Sequence, residues 1–390
     1  MKLLIYAVEF LPSVGGAQAL TLALARGLTG RSVGRDNIEV TVVTKRAAGG
    51  CDDRTLPFRV VRRPGLTELV RLLRGADLIH LAGPCFLPML FGWLLRKPVI
   101  VEHHNFQAIC PNGQLLFEPT QTPCPGHFMA GRHRECLRCN ARLGTLVSWK
   151  MWLLTFPRRW LCHQVAGNVA LTRWLETLLE LPRANTVYIG VAGRPGPLTS
   201  KMLRPPLTFA YVGRLVSSKG VEILLQAAHR MKVRGLAFQL KIIGEGPQRR
   251  SLEEQAESLQ LGDCASFLGY LPPNTVEETL AEVAAIVMPS LSGETFGLVA
   301  AENMMQGRLL IVSDLGALAE VVGPTGLKFL PGDVEGLSAC LEQVLKSPRI
   351  VDELGQRARN RALQLFPEGR MIDDHVTLYR DLLSNWGRPC

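Results

Sequence analysis

The sequence predicts an α/β protein of two domains, each built around a parallel β-sheet. Its 390 residues exceed the roughly 250–300 residues at which a single hydrophobic core stops growing. Short apolar segments alternate with helical patterns in the first half, and the alternation restarts after a stretch rich in proline and glycine near residue 200. Because parallel strands need long crossover connections, this alternation indicates parallel sheets covered by helices on both faces.

The first half contains five apolar segments that suit buried parallel strands. Residues 105–145, rich in Pro, Gly, Cys and Arg, interrupt the alternation as an irregular insertion. We expect strands at residues 3–8, 39–44, 77–81, 98–102 and 164–168, and helices at residues 17–28, 87–95 and 172–181.

The second half is more regular. We expect strands at residues 207–212, 239–243, 265–269, 285–289 and 309–313, and helices at residues 221–233, 248–259, 275–281 and 296–306. Pro- and Gly-rich segments at residues 193–197 and 204–206 form the linker, which gives domains at 1–198 and 199–370. Residues 371–390 are expected to form a terminal helix that packs back on the first domain. Ligands should bind at the carboxyl ends of the strands, in a cleft between the domains.

The composition favours a packed globular protein, with 47% hydrophobic and 20% charged residues. The most apolar stretch, residues 81–95, contains Gly83, Pro84 and Pro88, and no segment reaches the ~18 uninterrupted apolar residues of a membrane span. The leading MKLLIYAVEFLP indicates a buried strand rather than a signal peptide. We therefore expect a cytoplasmic location.

The formal charge of +10 is concentrated in the first half. Residues 1–200 carry 24 basic and 12 acidic residues, whereas residues 201–390 carry 20 and 22. A basic half suits nucleic acid, an anionic membrane or an anionic substrate, or consists of solvated arginines without a partner. The chain has no recognisable nucleic-acid motif, so we expect no nucleic-acid partner and favour a membrane surface or an anionic acceptor.

Two strand-to-helix loops in the second half carry groups suited to phosphate. In GRLVSSKG, residues 213–220, Arg214 offers a planar fork and Lys219 a mobile charge for phosphate oxygens. The N-terminus of the following helix also favours anions. Gly244 opens the GEGP turn at another strand end, where a flat ligand can lie against the backbone. Taken singly, each loop is more often a solvated surface loop or a plain turn.

The segment SGETFGLVAAE, residues 292–302, is the most specific element. Glu294 precedes a helix of small apolar residues, and Glu302 lies about two turns inside it. A carboxylate in such a helix needs a partner, either the hydroxyl pair of a sugar or a buried salt bridge. The amides around Phe296, Gly297 and Leu298 are placed to receive phosphate or sugar oxygens.

Together these segments resemble glycosyltransferase family 4, whose members have the GT-B fold: two Rossmann-like parallel-sheet domains facing a central cleft. The resemblance covers most of the chain and includes IVSDLGA, residues 311–317. It implies a nucleotide-sugar donor held by the second domain. Arg214 and Lys219 would bind the diphosphate, Glu302 the ribose and Glu294 the transferred sugar, with Gly244 and the amides of residues 296–298 completing the donor site.

The first half also resembles this family. The segment PSVGGAQ resembles its N-terminal Gly-Gly loop, so Gly15 and Gly16 are expected at the donor, although Gln18 stands where Glu is common. The segment VEHHN resembles its strand ending in His-Asp. His104 would then be the cleft histidine near the transferred sugar, with Asn105 replacing the common Asp. A lone histidine at a strand end is otherwise usually structural.

The resemblance implies retaining transfer to a saccharide or lipid-linked acceptor, such as a cell-surface polysaccharide, with His104 and Glu294 as catalytic residues and no catalytic metal. The sequence offers no evident covalent nucleophile, so we expect front-face attack, with the leaving diphosphate stabilised by Arg214, Lys219 and backbone amides. Two alternatives stay open: another GT-B activity, such as a sugar-nucleotide epimerase or a phosphorylase, and a non-catalytic membrane-associated scaffold.

The insertion holds four cysteines, Cys110, Cys124, Cys136 and Cys139. A chain without a signal peptide is not expected to form disulfides. The CLRC spacing of the last two is typical of a zinc knuckle, but the first two do not form a second short pair. A structural zinc that pins this segment and thiols without metal remain open alternatives.

Residues 146–163 combine large apolar, aromatic and basic side chains, among them Trp149, Trp160, Lys150 and Arg158. This composition suits a helix lying in a membrane interface, and equally a buried helix at the domain edge. Because the first half is basic, we favour peripheral association with the inner face of the cell membrane.

Overall fold

The computed structural model describes residues 1–12, 15–33, 36–193 and 205–386. The chain divides into two compact units. The first comprises Met1–Gln114, Gly126–Gly190 and Phe366–Cys390, and the second Leu115–Pro125 and Val191–Leu365. The predicted domain boundary at residue 198 and most of the predicted linker lie outside the described residues.

The first unit is built on a seven-stranded sheet in which every neighbouring pair is parallel. The central strands are mostly buried and apolar, as expected for a sheet covered on both faces. Their order across the sheet is Ala184–Thr186, Gly167–Ala170, Val99–Glu102, Leu78–Ala82, Lys2–Ala7, Glu39–Thr44 and Arg59–Arg62. The strand order reverses direction beside Lys2–Ala7, which places a topological switch point at that strand.

Seven α-helices of the described residues belong to the first unit: Gly16–Leu28, Leu66–Gly75, Phe86–Leu94, His133–Cys139, Thr145–Gln164, Arg173–Leu179 and Glu368–Asn385. The last of these packs closely on the first, because a Cβ at Gly27 would lie 1.9 Å from Ile372 Cδ1. A short antiparallel pair, Ser32–Val33 with Asp36–Asn37, follows the first helix.

The second unit has a six-stranded parallel sheet in the order Ala265–Gly269, Phe238–Ile243, Leu207–Val212, Val283–Met288, Leu309–Ser313 and Leu327–Phe329. Its core joins both faces of this sheet to the helices. The α-helices are Val221–Val233, Arg249–Ser258, Pro273–Thr279, Leu298–Met305, Gly316–Val322, Val334–Lys346 and Arg349–Leu365. The switch point lies between Leu207–Val212 and Val283–Met288, two neighbouring strands that are not consecutive in the sequence.

Two features of the 105–168 region differ from the sequence prediction. The insertion is not wholly irregular, since it contains the helix His133–Cys139 and the hairpin Leu116–Phe117 with Thr122–Pro123. The hairpin belongs to the second unit, although the prediction gave it to the first domain. The strand expected at residues 164–168 begins only at Gly167, because the helix Thr145–Gln164 continues through the start of that apolar run. Within the described residues, no helix is both long and apolar enough to cross a bilayer.

Candidate functional site

Two loops meet at the switch point of the second sheet. Residues 213–220 follow the strand Leu207–Val212, and residues 289–297 follow its neighbour Val283–Met288. The amide of Leu291 donates to the carbonyl of Ser218 at 2.9 Å. Gly220 has a φ of +64°, and a Cβ there would lie 2.1 Å from the Pro289 carbonyl oxygen. A glycine is therefore required where these loops cross.

A third loop is bonded to the first. Leu215 donates its amide to the Glu245 carbonyl at 2.9 Å, and Gly213 donates to Ile243 at 3.0 Å. Gly244 has a φ of +137°, and a Cβ there would lie 1.8 Å from the Gly213 carbonyl oxygen. Gly244 is thus required because the backbone of the neighbouring loop, at Gly213, leaves no room for a side chain.

Lys219 and Glu294, predicted separately as donor residues, are paired with each other. Lys219 Nζ lies 2.7 Å from Glu294 Oε1, and Ser290 Oγ donates to the same oxygen at 2.8 Å. Both side chains are partly buried, with exposed fractions of 29% and 15%. The pair places a cation and a hydrogen-bond acceptor together at the strand ends, where phosphate and sugar hydroxyls could each find a partner.

Arg214 projects an exposed side chain from the same loop. Its backbone is held by Tyr211, whose hydroxyl donates to the Arg214 carbonyl at 2.8 Å. Burial is the main reason why the pKa of Tyr211 is raised, so this phenol stays a hydrogen-bond donor. Arg214 therefore combines a fixed backbone with a mobile guanidinium.

The helix Leu298–Met305 differs from the sequence prediction at Glu302. Its other face is buried through Ala300, Ala301 and Met304, but Glu302 is exposed and is not a buried carboxylate in search of an internal partner. Desolvation by the surrounding protein nevertheless raises its pKa. The carboxylate is thus open to solvent and to a ligand.

Phe296 and Gly297 precede this helix, and their side-chain positions pack against the protein, whereas backbone amides at the helix start are available to a ligand. The Phe296 side chain is fully buried, so only its backbone is available to a ligand. Gly297 caps the helix with a φ of +96°, and a Cβ there would lie 2.5 Å from Leu318 Cδ2. The first amides of the helix, beginning at Leu298, are the donors that such an N-terminus leaves unbonded within its own first turn.

In the first unit, Gly15 precedes and Gly16 begins the helix Gly16–Leu28. A Cβ at Gly15 would lie 2.6 Å from Gln18 Oε1, so Gln18 folds back over this position. The loop follows the strand Lys2–Ala7, at the switch point of the first sheet. Ser13 and Val14 of the predicted Gly-Gly loop lie outside the described residues.

His104 follows the strand Val99–Glu102 and bonds to its last residue. His104 Nε2 lies 2.6 Å from Glu102 Oε2, and the Glu102 side chain is almost completely buried. Two further imidazoles reach the same carboxylate, His80 Nε2 at 3.4 Å from Oε2 and His375 Nε2 at 3.2 Å from Oε1. A single buried carboxylate therefore collects three histidines from three segments of the first unit.

Hydrogen-bond partners assign the protonation of this cluster. Because a carboxylate only accepts, His80 Nε2 donates to Glu102, and His80 Nδ1 accepts from the Tyr379 hydroxyl at 2.8 Å. His375 Nδ1 lies 2.8 Å from the Met371 carbonyl and Nε2 faces Glu102, so both of its nitrogens face acceptors. His375 therefore lies between two oxygen acceptors, the Met371 carbonyl and the Glu102 carboxylate.

The pKa shifts in the cluster follow this assignment. Burial raises the pKa of Glu102, but His104 and the hydrogen bonds from His104, His375 and His80 outweigh it and hold that pKa well below its usual range. Burial lowers the pKa of His80, consistent with a neutral ring, and raises that of Tyr379. The ligand atoms of His80, Glu102 and His375 lie within 4.8 Å of one another, a spacing compatible with a metal. Hydrogen bonding to the carboxylate already accounts for each of them.

His103 points to the other side of the strand. Asn168 Nδ2 donates to the carbonyls of Cys162 and Pro182, which leaves Asn168 Oδ1 to accept from His103 Nε2 at 3.0 Å. Burial lowers the pKa of His103 to about 4. His103 is thus a neutral structural histidine, and only His104 retains slight exposure.

The cysteines of the insertion occupy different settings. Cys110, Cys136 and Cys139 are buried in the first unit, and Cys124 is half-buried in the hairpin segment of the second. Cys110 Sγ donates to Asn112 Oδ1 at 3.0 Å, and Asn112 Nδ2 donates to Cys139 Sγ at 3.7 Å. Cys136 lies one turn before Cys139 in the helix His133–Cys139. Two of the four thiols therefore meet at one asparagine.

Sequence reasoning missed Glu102, His80, His375 and Tyr379. The VEHHN segment contains Glu102, and a carboxylate at the end of a buried strand already indicates a paired group. His375 and Tyr379 stand on one face of the last helix, four residues apart, but their partners precede them by 273 and 299 residues. A pattern of short sequence spacings could therefore not predict that these residues are in contact.

Comparison with known proteins gives a fold and a partial family match. Residues 203–361 match the family model of the glycosyl transferases group 1. A 184-residue segment is 36% identical to glycogen synthase of Mycobacterium tuberculosis, covering 46% of this chain and 44% of that enzyme. The chain thus spans about half the length of the first curated relatives it matches.

Two solved structures match almost the whole chain. Sucrose-phosphate synthase from Thermosynechococcus elongatus has a TM-score of 0.73 at 20% identity, covering 98% of this chain and 99% of that one. Anabaena HepE in complex with UDP and glucose has a TM-score of 0.70 at 16% identity, covering 98% and 100%. The fold is therefore GT-B, as the sequence predicted, and residues 203–361 carry the sequence pattern of the glycosyl transferases group 1.

Proposed function

We propose that the protein is a retaining glycosyltransferase that moves a hexose from a nucleotide-diphosphate-sugar to a lipid-linked or cell-surface polysaccharide acceptor. The observation that carries this proposal is the convergence of three bonded loops at the switch point of the second sheet. They bring the Lys219–Glu294 pair and Arg214 to the strand ends, the place where open α/β sheets bind ligands.

The chemistry of these groups suits a nucleoside diphosphate as leaving group. In the proposed site, Arg214 and Lys219 neutralise the charge that develops on the diphosphate, together with the amides that begin the helix Leu298–Met305. Glu302, open to solvent, accepts the two ribose hydroxyls, and Glu294 accepts from the transferred sugar. None of these roles requires a metal, so we propose that transfer proceeds without one.

Similar proteins suggest where to begin with the donor. The matched structure of HepE holds UDP and glucose, and the sequence relatives include a glycogen synthase and an α-(1→4)-mannosyltransferase acting on MMP. We propose a uridine or guanosine diphosphate hexose as the first donors to test. The first unit, with its basic balance, would receive the acceptor, and His104 would act beside the transferred sugar.

Three rival functions, two enzymatic and one non-catalytic, make different predictions. An epimerase with this fold would convert a sugar nucleotide without any acceptor, and a phosphorylase would need a lysine-bound pyridoxal group, for which the sequence has no motif. A non-catalytic scaffold would bind no donor. Product analysis with and without an added acceptor separates the three.

The decisive experiment is a calorimetric or thermal-shift screen against UDP-, GDP-, ADP- and dTDP-sugars, followed by a transfer assay with the donor that binds. Arg214→Ala should weaken donor binding about tenfold to a hundredfold, since one charge-assisted contact is lost. Arg250→Ala is the matched control, because Arg250 is an exposed arginine of the same unit that pairs with Glu254. If Arg214→Ala keeps full affinity and full transfer, the proposed site is wrong.

We also propose that the cysteine segment holds a structural zinc. The three buried thiols of the first unit and the convergence of Cys110 and Cys139 on Asn112 support this proposal. Cys136 and Cys139, one turn apart on a helix, have the spacing of a zinc knuckle. The metal would fix a segment with little regular structure that follows His104.

A further inference from the structure

The helix Thr145–Gln164 exposes its large apolar side chains. Leu146, Trp149, Leu153, Phe156 and Trp160 are all exposed, and Leu146 and Leu153 are 87% and 61% accessible. They are separated alternately by three and four residues, so they form one stripe on a helix of about 3.6 residues per turn. We call these five residues the apolar stripe.

The opposite side of the same helix is small and partly polar. Ser148, Thr155 and Cys162, spaced by seven residues, are buried. Their polar groups are satisfied locally, with Ser148 Oγ donating to the Asn140 carbonyl at 2.6 Å and Thr155 Oγ1 to the Met151 carbonyl at 2.9 Å. Apart from the buried Leu161, the helix therefore turns small residues inward and exposes large apolar residues, unlike an ordinary surface helix.

A neighbouring helix, Phe86–Leu94, extends this surface. Trp93 packs edge-on against Trp160 with ring centroids 5.2 Å apart. Leu87 and Leu94 of the same helix are also exposed. The apolar stripe and this helix together form a continuous exposed face with three tryptophans and several leucines, larger than the single exposed apolar residues that are normal on a monomer.

The two segments that form this face carry charges of one sign. Residues 86–97 and 140–164 contain no Asp or Glu, but they contain Arg96, Lys97, Arg142, Lys150, Arg158 and Arg159. Arg96, Arg142 and Lys150 are exposed. A second copy of the chain on this face would bring the basic residues of both copies together, with no carboxylate in these two segments to pair with them, which opposes self-association. An anionic lipid surface meets both the apolar and the basic requirements.

We propose that the apolar stripe and the exposed part of the helix Phe86–Leu94 insert into the headgroup region of an anionic bilayer. The tryptophans would sit at the headgroup level and the leucines just below it, with Arg96, Arg142 and Lys150 contacting lipid phosphates. This surface deepens the proposed function, and rests on it only where it explains access to a lipid-linked acceptor. Bilayer binding itself needs no sugar donor.

The test is cosedimentation of the whole protein with vesicles of phosphatidylcholine alone, and with vesicles of phosphatidylcholine and phosphatidylglycerol in equal parts. The wild-type protein should bind the anionic vesicles, less at high salt because surface charges are screened, and its tryptophan emission should shift to the blue. Replacing two exposed members of the stripe, Trp149→Gln with Leu153→Gln, should lower binding at least about tenfold. Arg142→Gln with Lys150→Gln should lower binding to the anionic vesicles roughly tenfold or more, at about 1 kcal/mol per charge.

The matched control is Val233→Gln with Leu330→Gln, two apolar residues of the second unit that are 73% and 66% exposed. It should bind vesicles as the wild type does. Donor binding measured on every variant keeps the two proposals separate: a protein that binds vesicles but no nucleotide sugar refutes the function and not the surface. Equal vesicle binding by the stripe variant and the wild type overturns the inference. The inference is also overturned if the wild type dimerises in the absence of vesicles and the stripe variant does not, because the face would then bind a second copy.

Discussion

His104 Nε2 lies 2.6 Å from Glu102 Oε2, the shortest contact in a buried carboxylate cluster that also includes His80 and His375. This contact fixes both the orientation and the tautomer of His104, because the carboxylate accepts only from a protonated nitrogen. The remaining contacts hold Glu102 in turn, so residues of the last helix act on the end of a central strand. Glu102 is a positioning residue for His104.

Replacing this carboxylate with its isosteric amide, Glu102→Gln, should lower kcat of transfer about tenfold to a hundredfold if His104 acts in general acid–base chemistry. The amide nitrogen would face at least one of the imidazole N–H groups and turn that ring. Donor affinity should change little, because the residues proposed to bind the diphosphate and the ribose lie in the other unit. Glu39→Gln, which changes an exposed carboxylate in the same sheet, is the control. Equal loss of donor affinity and kcat would indicate general misfolding instead, whereas recovery of kcat in Glu102→Asp would support positioning.

His103 should make the first unit sensitive to mild acid. Its pKa falls from 6.5 in the unfolded chain to about 4 in the fold through burial. Both states are neutral above pH 6.5, but between pH 6.5 and about 4 only the unfolded state binds the proton. The free energy of unfolding therefore decreases as the pH is lowered through this window. The decrease is about 1.4 kcal/mol per pH unit, roughly 3 kcal/mol in all. The lowered pKa of His80 acts in the same direction.

Urea midpoints measured at intervals between pH 7 and pH 4 test this slope. His103→Gln keeps a donor for Asn168 but cannot titrate, so its midpoint should fall less steeply than that of the wild type. The depressed pKa of Glu102 works in a separate window. Its stabilisation is present above the ordinary carboxyl pKa of about 4.3 and is lost only as pH falls further. Parallel slopes for His103→Gln and the wild type would refute the assignment.

The sequence predicted what local patterns determine. The strands Glu39–Thr44, Leu207–Val212 and Leu309–Ser313 were predicted to the residue, because a largely buried parallel strand is a short apolar run between turn residues. The half-exposed edge strand Ala265–Gly269 was also predicted to the residue. Lys219 and Glu294 were each predicted from motif chemistry. Their mutual contact was not, because it depends on two loops 75 residues apart that cross only when the strands pair.

Glu302 shows that composition alone does not predict which residues of a helix are buried. Its helix was predicted to be buried from composition, and most of it is, but the exposed arc of a short helix depends on what packs against it. The sequence identified residues 146–163 as an apolar, basic segment with two possible interpretations, since composition does not reveal which side of a helix faces inward. Burial of Ser148, Thr155 and Cys162 answers that question for the fold.

Gly244, which packs against the backbone of Gly213 in the neighbouring loop, should not tolerate substitution. In Gly244→Ala, the new Cβ would lie 1.8 Å from the Gly213 carbonyl, at a φ of +137° that other residues rarely adopt. We expect a loss of about 2–4 kcal/mol in stability and weaker donor binding, because the loop carrying Arg214 must shift. Gly262→Ala is the control, since a Cβ there meets nothing within 4 Å. Similar thermal midpoints for the two variants would contradict the account.

Metal analysis of the purified protein tests the proposed zinc. We expect about one zinc per chain, as in structural sites with four thiolates, and reaction of the cysteine-segment thiols with a thiol reagent only after chelation. Cys136→Ser and Cys139→Ser should each lose the metal and lower the thermal midpoint. Cys51→Ser, a half-buried thiol of the same unit, should retain it. Protein without bound metal whose thiols titrate freely would refute the proposal.

Substituting Lys219 and substituting Glu294 should have different effects on donor affinity and on kcat. Lys219→Gln removes the cation proposed to bind the diphosphate, so donor affinity should fall about tenfold to a hundredfold. Glu294→Gln keeps an acceptor for Ser290 Oγ and leaves Lys219 free to meet phosphate, so nucleoside diphosphate affinity should hold or rise while kcat falls. Calorimetry with the nucleoside diphosphate alone and with the intact sugar donor resolves the two contributions. If Glu294→Gln weakens the bare diphosphate as much as Lys219→Gln does, the carboxylate serves to position the lysine and does not contact the sugar.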